Sequence, residues 1–107
     1  PWLKSSPPPA LGWAMIYRLS RTAESDIEEI YRYTVETFGH VQAALYLGGL
    51  ESVFELLCEH PDIGTKFDDT RRRYVFKSHV VYYRQTEDHI VIVTIRHSSR
   101  RAPGIDE

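Results

Sequence analysis

Residues 71–97 read RRRYVFKSHVVYYRQTEDHIVIVTIRH, and this stretch decides the fold. Within it RRYVFK (72–77), HVVYYRQT (79–86) and IVIVTIR (90–96) are rich in β-branched and aromatic residues, the composition of strands. Glu87, Asp88 and His89 form a polar turn between the last two runs. The stretch predicts three consecutive strands closing the domain.

Upstream the period is helical. Ser20 or Thr22 can cap a helix whose first turns carry Glu24, Asp26, Glu28 and Glu29, the charge a helix N-terminus favours. Ile27, Ile30, Tyr31, Thr34 and Phe38 recur at spacings of three and four and predict its apolar face. Gly39 ends that helix and His40 opens a second, running to His60, with Ala44, Leu45, Val53, Phe54, Leu57 and Cys58 as inward candidates. Gly48 and Gly49 are expected to let the two helices approach closely, and Pro61 in HPDIG stops the second. Before the first helix, MIYRLS (15–20) alternates as a short strand, marked by Ile16 and Leu19. The order strand, helix, helix, three strands predicts an α+β domain: a helical hairpin on one face of a small, mainly antiparallel sheet.

Residues 1–14, PWLKSSPPPALGWA, contain three consecutive prolines and no periodicity. They are read as an extension outside the domain, with Met15 as the natural start, residues 15–101 as the domain and 102–107 as a tail. The 107 residues suit one domain, and 42% apolar content is that of a soluble globule. No apolar run reads as a membrane span or signal peptide. A single cysteine, Cys58, rules out an internal disulfide and suits a reducing cytoplasm; its apolar helical setting makes it a core thiol. The net charge of −2 is unevenly spread: residues 15–64 hold three basic side chains against nine acidic, residues 65–107 nine against six. Such asymmetry suits either an interaction surface or attraction between the two halves of the fold. The low overall charge weighs against an autonomous nucleic-acid binder.

The chain resembles the ParE/RelE toxin superfamily. The resemblance rests on A-x-x-D-I-x-x-I-x-x-Y in Ala23, Asp26, Ile27, Ile30 and Tyr33, on H-P-D-I-G after the second helix, and on RRRYVF (71–76), VVYYR (80–84) and IVIVTIRH (90–97) in that order, covering about residues 15–101. It implies the toxin of a two-gene module, silenced by an antitoxin that wraps around it. A RelE-like toxin cleaves messenger RNA on the ribosome; a ParE-like one inhibits DNA gyrase.

Cleaving RNA at the ribose needs a base for the 2′-hydroxyl, an acid for the leaving oxygen and positive charge for the phosphorane. Arg73, Lys77, Arg84, Arg96 and His97 lie on or beside the last three strands, and Arg73, Lys77, Arg96 and His97 are the ribonuclease candidates. The resemblance implies a tyrosine or histidine near the C-terminus of RelE-like enzymes; no tyrosine follows Tyr83, and His97 could replace it because a histidine's ordinary pKa suits the task, but ParE-like chains also carry a histidine at the end of the last strand. The balance therefore favours the ParE-like branch. The five histidines are scattered without zinc-ligand spacing, Gly48-Gly49 is not a phosphate loop, and Asp68-Asp69 reads as a solvated turn. No metal or cofactor is implied.

Two basic clusters suit binding, since arginine forks fit carboxylate and phosphate alike. Arg71, Arg72 and Arg73 are antitoxin-binding candidates together with Tyr82 and Tyr83, one of which should face in and the other out. Arg96, Arg100 and Arg101 are target-binding candidates, in a tail with nothing to bury except Ile105. The committed reading is a ParE-like gyrase inhibitor neutralised by a ParD-like antitoxin. A RelE-like endonuclease and an inactive, antitoxin-binding homologue are the alternatives.

Overall fold

The computed structural model describes residues 15–104; the extension 1–14 and Ile105 lie outside the described residues. The elements are β1 (Ile16–Leu19), α1 (Arg21–Phe38), α2 (His40–Glu59), β2 (Thr65–Lys66), β3 (Arg72–Phe76), β4 (His79–Gln85) and β5 (His89–His97). They form one sheet in the order β1-β5-β4-β3-β2, antiparallel throughout except where β1 runs parallel to β5. The expected α+β layout stands, with the two-residue β2 added at the edge.

Both helices cover one face of this sheet. Ser20 caps α1 by accepting from the Ala23 N–H at 2.9 Å, while its hydroxyl donates to the Val93 carbonyl at 2.6 Å. That second bond matters because β1 ends at Leu19 and leaves the far half of β5 without a strand on that edge, β4 pairing only the other. Asp26 continues the substitution: its carboxylate accepts from the Ile95 N–H at 2.9 Å and from the Thr94 hydroxyl. Polar groups at the start of α1 thus satisfy a strand edge that would otherwise be a buried orphan.

The core joins Tyr17, Ile27, Leu47, Leu50, Phe54, Leu57, Val81, Tyr83, Ile90, Ile92 and Ile95. Several expected helix faces shift. The buried stripe of α1 is Ala23, Ile27, Ile30 and Thr34, leaving Tyr31 and Phe38 exposed. In α2 the inward residues are Ala43, Leu47 and Leu50, so Ala44 and Leu45 point to solvent; Val53, Phe54, Leu57 and Cys58 are buried as expected. By length and composition α2 would be apolar enough to cross a membrane, as the core helix of a soluble domain also can be; here Ala43, Leu47, Leu50, Val53, Phe54, Leu57 and Cys58 are buried in the fold. The glycine pair is also re-explained. A Cβ on Gly49 would stand 2.7 Å from the Phe76 ring, whereas Gly48 faces open space, so the close approach is between α2 and the sheet rather than α1.

One irregularity sets which residues reach each face. Between Tyr82 and Tyr83 of β4 the register against β5 slips by one residue, pairing Tyr83 with Ile92 but Tyr82 with Thr94. Such a bulge reverses the inward–outward phase of everything beyond it. Ile90 and Ile92 face the helices on one side of the slip, and Ile95 does so on the other. His97, paired with His79, therefore joins the helix-covered face, and Arg96, paired with Val80, goes to the opposite one.

Candidate functional site

The partner-binding candidates of the 71–73 cluster separate when placed in the fold. Arg71 is only 4% exposed: its Nη2 meets Asp68 at 2.6 Å and Nε meets the same carboxylate at 2.9 Å. Asp68 also accepts from the backbone N–H groups of Thr70 and Arg71, and the Arg71 hydrogen bond is the chief cause holding its carboxyl down to about 2. The turn keeps Asp68 and Asp69 exposed as expected, but Asp68 closes it into a loop in which Phe67 sits under Arg71 and edge-on to Tyr82. Arg72 binds the Gly64 carbonyl at 2.8 Å and lies 3.6 Å from the Asp62 carboxylate. Arg73 alone of the three is exposed.

The two tyrosines do point to opposite sides, but both are buried, because the Phe67 loop covers the one that faces away from the helices. Tyr83 donates to the Pro61 carbonyl at 2.7 Å and accepts from the Gly64 N–H at 2.9 Å. It thereby fastens the H-P-D-I-G turn onto the sheet, and a Cβ on Gly64 would lie 2.6 Å from its hydroxyl. Tyr82, Tyr83, Arg71 and Arg72 accordingly carry contacts that build the domain, and Arg71, Arg72 and Tyr83 also line a cleft of about 380 Å³ with Arg84.

The groove that remains open lies at the other end of the molecule. Its larger lobe, about 430 Å³, is lined by Tyr33, Thr34 and Phe38 of α1, Gln42 and Tyr46 of α2, and Ser78, His79 and His97 of the sheet. A second lobe of about 230 Å³ continues past His97 to Arg100, Asp26 and Glu29. The register pairs His79 with His97, and their rings meet edge to face at 5.4 Å between centroids. The Tyr46 hydroxyl lies 2.6 Å from His79 Nδ1, and it is the donor when the neutral ring carries its proton on Nε2. Burial, then the neighbouring His97, press His79 below its ordinary pKa; Asp26 opposes them weakly. His97 Nδ1 accepts from the Ser99 N–H at 3.1 Å, which leaves Nε2 as the protonated nitrogen of its neutral ring. A tyrosine does stand beside the histidines, supplied by α2 instead of the C-terminus. Nothing in the sequence points directly to this grouping, since His79 is one histidine among five and Tyr46 belongs to no motif.

The ribonuclease candidates, by contrast, are not brought together. His97 faces the helical side, Arg73 and Arg96 belong to the opposite face, and Lys77 sits in the β3–β4 turn over the Phe76 ring. Of the tail residues, Arg100 is exposed at the groove mouth. Arg96 is part-buried and donates to the Arg101 carbonyl at 3.0 Å, and Pro103 is buried. The described tail is therefore anchored at Pro103, against the expectation that it had nothing to bury, while Ser98, Ser99, Arg100, Arg101 and Gly104 stay exposed. Among the described residues no group of three histidine, cysteine or acidic side chains could hold a metal ion.

Residues 17–102 match the model of the ParE toxin of the type II toxin–antitoxin system parDE. The chain belongs to the ParE toxin family. It is 37% identical over 89 residues to the toxin ParE1 of Caulobacter vibrioides, covering 80% of this chain and 92% of that protein. It is 34% identical over 85 residues to the toxin ParE1 of Mycobacterium tuberculosis, covering 76% and 87%. The fold is similar to that of a chain from the chromosomal ParDE toxin–antitoxin system of P. aeruginosa, at a TM-score of 0.67 and 17% identity, covering 76% of this chain and 92% of that one. The ParE-family assignment spans β1 through the start of the tail and includes the whole groove.

Proposed function

We propose that this ParE-family chain inhibits DNA gyrase in the cytoplasm and arrests growth until a cognate ParD-like antitoxin neutralises it. The observation that carries the reading is the division of the ribonuclease candidates between two faces of the sheet. Transphosphorylation requires the acid–base group and the phosphorane-binding cations around one phosphorus. With His97 on one side and Arg73 and Arg96 on the other, a single phosphate cannot meet them all. Inhibition by binding makes no such demand. It needs an accessible surface, which the groove and Arg100 supply, and no cofactor. Membership of the parDE family and the likeness to a chain of a ParDE system support a ParD-type antitoxin as partner.

Two assays on the purified, antitoxin-free toxin test this. Loss of gyrase supercoiling with trapped cleavage complexes, alongside intact message on translating ribosomes, is the expected result. Cut message with normal supercoiling would instead favour the endonuclease and make His97 the first residue to replace. Silence in both, with folded protein that binds antitoxin, would make the chain an inactive homologue. Within the first outcome, replacing Arg100 and Arg101 with alanine should weaken killing while leaving the fold intact, as both are exposed.

A further inference from the structure

The face of the sheet turned away from the helices has no role in the reading above. Its residues follow from the register: Arg18 and Arg84 stand on either side of Val91, and Arg73 pairs with Tyr82 two positions along β4 from Arg84. With neighbouring strands ~4.8 Å apart and ~3.4 Å per residue along a strand, the three arginine Cα atoms lie roughly 8–10 Å from their nearest companions. All three side chains are exposed. Of the acids near this face, Asp68 is held by Arg71 and Asp88 by the His89 ring at 2.7 Å with Arg18 acting on it more weakly, while Asp62 and Asp69 line a cleft beside Arg84 without forming an ion pair to it. Apart from Glu87 in the β4–β5 turn, the described glutamates gather on the other layer: Glu24, Glu28, Glu29 and Glu36 on α1, and Glu51, Glu55 and Glu59 on α2. Among the described residues no ion pair joins a helix glutamate to a sheet arginine. The net charge of −2 therefore conceals an acidic helical layer backed by a basic sheet face.

We infer that this open face binds the phosphate backbone of duplex DNA through Arg18, Arg73 and Arg84. Three guanidinium groups on a rigid sheet suit a regular polyanion, since phosphate contacts position a protein without reading sequence. A single strand needs something else, exposed aromatic rings on which unstacked bases can lie. The one tyrosine at a strand position of this face, Tyr82, is 4% exposed under Phe67, and its neighbours Val75, Val80 and Val91 are aliphatic. The surface has the charge for a backbone and lacks the stacking platform for bases. This contact goes beyond the gyrase reading and would hold in gyrase's absence.

The test is fluorescence anisotropy of a short labelled DNA duplex, titrated with the full chain at about 50 to about 200 mM salt. Three phosphate contacts predict a log–log salt slope of about −2.7. The triple variant Arg18→Ala, Arg73→Ala, Arg84→Ala should bring the slope close to zero, and the triple lysine variant should restore most of it, because charge rather than fork geometry is being counted. No duplex binding at the lowest salt, an alanine variant that binds like wild type, or tighter binding to a single strand of the same sequence would each overturn the inference. A toxin that stops supercoiling yet ignores free duplex refutes the DNA contact and leaves the gyrase reading standing. Duplex binding without gyrase inhibition does the reverse.

Discussion

The two faces of the sheet share β-branched and aromatic residues but differ in charge, and even the residue types they share meet different fates. On the covered face Tyr17, Val81, Tyr83, Ile90, Ile92 and Ile95 are locked under two helices. On the open face Val75, at 63% exposure, stands among exposed arginines with no helix above it. A strand's composition thus says that it is a strand, but the layer above it decides whether a valine is core. The same holds for polar groups: Tyr83 is buried because its hydroxyl finds Pro61 and Gly64, whereas Arg73 has been left to solvent.

The sharpest way to break this contrast is to place a charge on each side. Leu57→Asp buries an unpaired carboxylate at a position with no exposure and should unfold the domain, a loss of several kcal/mol, about the whole stability of a chain this size. Val75→Asp should cost about 1 kcal/mol or less and retain antitoxin binding. Circular dichroism melts of the two variants decide it; similar melting would mean that the faces have been assigned wrongly.

A smaller effect separates neighbours in one basic run. Arg71 holds the 68–71 loop and lies over Phe67, so Arg71→Ala should lower Tm by roughly 4–8 °C. Arg73→Ala should leave Tm within error while reducing the salt dependence of DNA binding. If the order is reversed, the 71–73 cluster works as the single docking patch that its sequence suggests.

These pairs also show what was legible in the sequence. The element order, the acidic cap of α1 and the hairpin stop at Pro61 followed from local chemistry and survive in the fold. Burial did not follow so well. Periodicity marked Tyr31, Phe38 and Leu45 as inward because they are apolar at helical spacing, yet the stripe is narrower and passes through Ala23, Ala43 and Leu47. The site was hidden for a different reason. Counting back from the Gln85–Ile90 pair, an unbroken ladder would set Arg96 opposite His79 and His97 on the open face, with the arginines. The slip near Val93 exchanges them. Its trace in the sequence is the shift in isoleucine phase from Ile90 and Ile92 to Ile95, visible only once the covered face is known.

A gentler probe compares adjacent glycines of α2. Gly48 faces open space, so Gly48→Ala should stabilise by about 0.5–1 kcal/mol through helix propensity alone. Gly49→Ala has the same propensity gain but drives a methyl against Phe76 on the covered face. It should melt below Gly48→Ala; equal gains would show that Phe76 moves aside freely.

The smallest effect concerns protons in the groove. His79 is held below its ordinary value of 6.5 chiefly by burial, and it accepts from Tyr46 in its neutral form. As pH falls through 6.5 the unfolded chain takes up a proton that the folded ring refuses, so His79 makes the fold less stable toward acid and costs nothing above that window. Removing the donor should change this. In Tyr46→Phe the neutral ring loses its hydrogen bond, protonates more readily, and its titration followed by NMR should move up toward 6.5. The acid-side loss of stability should shrink with it. A His79 that already titrates at or above 6.5 in the wild-type chain would show that the groove is wetter than its packing implies, and the contrast between a sealed covered face and an open basic one would then end at the groove's rim.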